Sequence, residues 1–163
     1  MREETKICTE IGLLTAFITI TGAIKLPGLF PGTEFQLSAP LAVAICAVFG
    51  FKKYIIAGVL SSLIGLMLGT QNLFNVFIAC IFRIVAGGMV SLGGKNIWIL
   101  SIAGPIGSAI SRISMGMFLG KAVIPLLLAA IPGMIYTAVL AYPLTKVLSK
   151  VKLPKGAKKI DAV

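Results

Sequence analysis

Two arginines, Arg83 and Arg112, interrupt long apolar stretches of the chain and hold most of its chemical content. A guanidinium is a planar fork that grips a carboxylate or a similar anion through two parallel N–H bonds. Arg83 lies about ten residues into its apolar segment, or ~15 Å from the outer end at helical rise. Burial at such a depth in a bilayer costs at least ~2.5 kcal/mol on insertion scales. No Asp or Glu occurs between Leu37 and Val147 to neutralise it. The internal partners that remain are Glu10, Glu34 and backbone carbonyls freed by prolines. Arg112 falls in the outer half of its segment, where a long cationic side chain either snorkels to the interface or meets a ligand. For both arginines a structural role and a ligand role stay open. If either meets a ligand, the ligand presents an anionic group.

Other polar residues gather on the same side. Glu34 is placed to receive an ammonium group, with Phe35 beside it. Gln71, Asn72 and Asn75 sit between two apolar segments and offer hydrogen bonds to a polar ring or amide. Together with the arginines they describe a substrate pocket in the outer half of a bundle. The longest internal link, KLPGLFPGTEFQ from Lys25 to Gln36, lies above it. Two Pro-Gly pairs shape its turns, and it is either a lid over the pocket or an ordinary connector.

Covalent chemistry has no support. The chain contains no histidine, no paired carboxylates and no nucleophile motif. Cys8, Cys46 and Cys80 stand far apart without a CxxC, so no metal and no cofactor is expected, and the cysteines read as small packing residues. The run Gly87-Gly88…Gly93-Gly94-Lys95-Asn96 resembles a phosphate-binding loop only superficially. Met89 stands where the first required Gly belongs, and Asn96 replaces the Ser/Thr. The expectation is a protein that is not an enzyme and does not hydrolyse ATP by itself.

The elements that must position these residues follow from composition. The chain has 163 residues, 58% hydrophobic and 12% charged, against about 25% charged in soluble domains. The apolar content is continuous apart from short Gly/Pro or charged punctuation, which predicts an all-α integral membrane protein. Six segments are expected, at about Ile7–Ile24, Leu37–Phe51, Tyr54–Leu68, Leu73–Leu92, Ile97–Met117 and Ala122–Val147. They form a six-helix transmembrane domain over residues 1–148, followed by a basic tail over 149–163. The N-terminus, with Glu3, Glu4 and Glu10, reads as a first membrane helix without a signal-peptide cleavage site.

Charge sets the orientation. With the N-terminus in the cytoplasm, the inside receives Arg2, Lys6, Lys52, Lys53, Lys95 and the tail lysines 146, 150, 152, 155, 158 and 159. The outside receives only Lys25 and Lys121, so both termini are expected in the cytoplasm of a bacterial cell membrane. Trp98, Tyr54 and Tyr142 then fall near the inner boundary. The net charge of +10 suits an anionic leaflet better than nucleic acid, because no basic stripe is interleaved with aromatics. Small residues recur at packing spacing, in the first segment at Gly12, Thr15, Ala16, Thr19 and Ala23, in the third at Gly65 and Gly69, and in the fifth at Gly104, Gly107, Ser108 and Ser111. In the third and fifth they are expected to pack within the molecule, whereas the first face is long enough for a separate partner. Prolines 105, 125, 132 and 143 predict kinks.

The length, six spans, substantial first outer loop and small-residue first helix resemble the substrate-binding S components of energy-coupling factor (ECF) transporters. In that family an AxxxA-type motif on the first helix contacts the coupling subunit. The matching stretch is GLLTA, Gly12-x-x-x-Ala16, with Gly12 where the family has its first Ala. The stretches IKLPGLFPGTEFQLSAP and AYPLTKVLSK look like those of tryptophan-type and queuosine-precursor-type members. An arginine with Glu34 suits an amino acid, whereas a queuosine-precursor base has less need of the arginine. The resemblance implies high-affinity capture of a vitamin-like solute by this subunit. Transport then needs a separate coupling subunit and two cytosolic ATPases. Two other classes stay open: an autonomous secondary carrier, disfavoured by the lack of an intramembrane acid, and a non-transporting scaffold or pore.

Overall fold

Apolar runs closed by Gly, Asn and lysine pairs fold into six helices. The computed structural model describes residues 3–27, 34–36, 38–120 and 123–152. In chain order they are α1 (Glu3–Ala23), β1 (Lys25–Pro27), β2 (Glu34–Gln36), α2 (Ser38–Phe49), α3 (Phe51–Met67), α4 (Leu73–Gly93), α5 (Ile97–Leu119) and α6 (Val123–Lys152). The start of α4 is set by Asn72, whose side chain accepts a hydrogen bond from the Asn75 amide at 2.8 Å. Asn96 caps α5 in the same way through the Trp98 amide. The predicted segments thus match the six helices closely.

Four of the six, α1, α4, α5 and α6, are long and apolar enough to cross a membrane. The second segment differs from expectation. Its helix has 12 residues, about 18 Å at helical rise, against a hydrocarbon core of about 30 Å. Its hydrophobicity serves protein burial instead of lipid contact. Val43, Ala44 and Ile45 are almost wholly enclosed, and α2 packs against each of the other five helices. It turns into α3 at Gly50, whose φ of 90° lies in the left-handed region that a side chain disfavours.

The surface is the inverse of a soluble protein's. Leu13, Phe17 and Ile20 of α1, Ile84 and Leu92 of α4, Ile113 of α5, and Ile135 and Val139 of α6 all face outward. Contiguous apolar surface on this scale faces lipid, and the chain is a membrane protein. Several polar groups lie inside and are hydrogen-bonded there. Thr15, Thr137 and Thr145 donate to the carbonyls four residues earlier, and Thr19 donates to the Ser61 hydroxyl across the α1–α3 seam at 3.0 Å. The small face of α5 packs inside the molecule as expected. Gly107 lies against Ala86 and Phe82 of α4, and Gly104 against Thr137 of α6. Gly69, by contrast, belongs to an exposed turn.

Two features were not foreseen. The first link contains an antiparallel two-stranded ribbon, with Lys25 opposite Gln36 and Pro27 opposite Glu34, and β2 runs beside α1 and α6. And α6 continues to Lys152 through Pro132 and Pro143, so residues 149–152 are helical. The rest of the basic tail, residues 153–163, lies outside the described residues, as do Arg2 and Lys121.

Candidate ligand pocket

The guanidinium of Arg83 needs room that only a residue without a side chain leaves. That residue is Gly58 of α3, where a Cβ would collide with Nε and Cδ of Arg83. Over this gap the arginine crosses to α3 and donates to the Ser62 hydroxyl at 2.8 Å. It is 6% exposed. The partner described for it is therefore a neutral hydroxyl; the Glu34 side chain lies outside the described residues. Glu10 is engaged elsewhere, in an ion pair with Lys53 that ties α1 to α3.

Arg112 does not run to the near end of its helix. It turns back along α5 and donates to the Ser108 carbonyl at 3.1 Å and the Ser108 hydroxyl at 2.7 Å. The direction follows from helix geometry, because side chains lean toward the helix N-terminus. The same leaning carries Arg83 toward the end of the bundle that holds the α3–α4 turn.

Both arginines line one cavity of about 100 Å³, together with Asn75, Ser38, Ser108 and Tyr54 among the polar residues and Ile18, Ile78, Phe82 and Ala130 among the apolar ones. Most of these positions belong to the starts of α2, α4 and α6 and the later halves of α1 and α5. The cavity thus sits toward the end of the bundle that carries the α1–α2, α3–α4 and α5–α6 connections. No acid is among its described lining residues. Two cations face a small space with only hydroxyls, an amide and carbonyls around them, which favours an anionic occupant.

The remaining expected residues divide. Asn75 joins the arginines in the cavity wall. Asn72 is exposed and spends its side chain on capping α4. Gln71 tucks behind the cavity against Gly22 and Gly65. Glu34 and Phe35 lie in β2, and their side chains fall outside the described residues. Gly12 and Ala16 are on the exposed face of α1, and a Cβ at Gly12 would meet nothing.

Sequence reasoning missed Tyr54. Its place beside Lys52 and Lys53 predicts an interfacial ring, yet it is 1% exposed in the core. The ring packs on Gly87, one turn beyond Arg83 in α4. Its hydroxyl is buried without a hydrogen-bond partner, a state that costs about 1–3 kcal/mol. The signal available was period: Tyr54, Ala57, Gly58, Ser61, Ser62 and Gly65 form one face of α3.

Comparison with known proteins gives one informative result. The chain is 50% identical over 139 residues to Protein BioX of Lysinibacillus sphaericus, covering 85% of this chain and 84% of the relative. No protein-family model matches the chain. No solved structure is significantly similar to it.

Proposed function

Because the chain belongs to the family of Protein BioX, we propose that it is the membrane-embedded binding component for uptake of a small carboxylate-bearing vitamin of the biotin class. The Bio stem of the relative's name directs the choice of cargo, and directs it away from the tryptophan-type and queuosine-precursor-type members. The observation that carries the reading is the single cavity walled by Arg83, Arg112 and Asn75 with no described acid. An arginine fork holds the cargo's carboxylate, Asn75 offers an amide to its polar end, and Ile18, Ile78 and Phe82 cover its apolar stem. The subunit performs no covalent step of its own. In the proposed cycle it works with an ECF coupling subunit and two cytosolic ATPases in a bacterial plasma membrane. The exposed Gly12–Ala16 face of α1 meets the coupling subunit.

Native mass spectrometry of the gently purified chain, before and after soaking with biotin, tests the cargo. A retained or added mass equal to biotin supports the proposal. A clean apo mass after soaking moves the chain toward a scaffold or pore.

A further inference from the structure

Tyr54 is the one described tyrosine whose hydroxyl is both buried and unpartnered, and its ring borders the cavity that holds Arg83 and Arg112. Nothing in the packing requires that oxygen. Phenylalanine presents the same ring to Gly87 and to the surrounding apolar cluster of Ile45, Ala57, Ala86 and Val90. Buried hydroxyls are hydrogen-bonded as a rule, and a buried exception calls for an explanation. Tyr54 lines a cavity with room for more than one water, so an atom bound there can reach the hydroxyl once the side chain turns toward it.

We propose that Tyr54 is a ligand-contacting, specificity-determining residue, whose hydroxyl donates a hydrogen bond to an acceptor oxygen of the cargo at the deep end of the cavity. The acceptor character follows from the neighbour. Arg83 and Tyr54 line the same cavity. A guanidinium has five N–H donors, and the bond of Arg83 to Ser62 uses only one of them. A cargo group placed between donors of this kind must accept from both, so a carboxylate or carbonyl oxygen fits and an ammonium or amide N–H does not. Tyr54 lies one turn deeper than Arg83, as its contact with Gly87 shows. An oxygen that reaches it enters ahead of the rest of the cargo. Cargo lacking an acceptor at its leading end leaves the hydroxyl unsatisfied and is rejected. This inference rests on the cavity being the cargo site proposed above.

The test compares the intact protein with Tyr54→Phe in mild detergent, by melting of the unliganded protein and by biotin affinity of the folded, monodisperse fraction. The expected result is an unliganded melting temperature equal to or above that of the parent, with biotin binding weakened about tenfold. A structural tyrosine gives the opposite pattern, a melting temperature lowered by several degrees and unchanged affinity, and that outcome overturns the inference. Unchanged affinity overturns it whatever the melting temperature. If the parent itself ignores biotin, the cargo assignment falls separately, and the melting comparison alone decides. A drop then overturns the role of Tyr54, and its absence supports it.

Discussion

Arg83 shows how one buried side chain is both held in place and kept available. Gly58 makes the space, Ser62 takes one N–H, and the remaining donors border the cavity. Replacing Arg83 with Ala removes the fork and should lower biotin affinity at least tenfold, measured by equilibrium binding, with the helical bundle still folded. Lys at this position keeps the charge without the planar geometry, so it should recover only part of the loss. Unchanged affinity in Arg83→Ala would return the residue to a purely structural role. Gly58→Ala makes a different prediction. The new methyl overlaps Arg83, and overpacking of a filled interior typically costs 1–3 kcal/mol. The variant should melt at lower temperature and also bind biotin more weakly, because the arginine can no longer lie across α3. A variant that melts lower with affinity intact would separate the gap from the site.

At the scale of elements, the six helices divide into a central one and an outer set. The short α2 is enclosed by the others, so its small residues are sensitive to volume. Ala44 of α2 and Ala57 of the adjoining α3 are fully buried, and enlarging either should destabilise the bundle by a similar ~1–3 kcal/mol, read as a loss of monodisperse protein on heating. The first helix behaves oppositely along its outer face. Gly12 is exposed and a side chain there meets nothing within the molecule. Gly12→Leu should therefore leave biotin binding unchanged while weakening co-purification with a coupling subunit. Loss of both would point to a general packing defect and would remove the case for a docking face.

At the scale of the whole molecule, orientation follows from charge placement more than from packing. The basic residues cluster at the end opposite the cavity, at Lys6, Lys52, Lys53, Lys95, Lys146 and Lys150. On the proposed reading, the positive-inside rule puts that end in the cytoplasm and opens the cavity end outward. A fluorescent-protein fusion to the C-terminus, which matures only in the cytoplasm, should fluoresce in intact cells. A dark fusion, paired with external accessibility of the same terminus, would invert the topology and make the cavity face inward.

Much of this was legible without coordinates. Continuous hydrophobicity with sparse punctuation specifies a membrane helix bundle, because a backbone in lipid has few other ways to satisfy its hydrogen bonds. The boundaries of α4, set by Asn72 and Gly94, are local and so were readable. Arg83 and Arg112 stood out because an ion in an apolar run is costly at any position. What the chain order could not specify was which apolar segments face lipid and which face protein. Hydrophobicity is the same in both, so α2 read as a span although it is a 12-residue core helix. Nor could it specify partners far apart in the chain. Arg83 meets Ser62 because α3 and α4 pack with Gly58 between them. Tyr54 leaves its expected interfacial place because its ring fits against Gly87. Gln71 and Asn72 adjoin Asn75 in sequence, but the turn before α4 sends only Asn75 into the cavity wall. Local propensity and solvent preference are properties of a segment. The composition of a pocket is a property of how segments cross, and only the tertiary structure decides that.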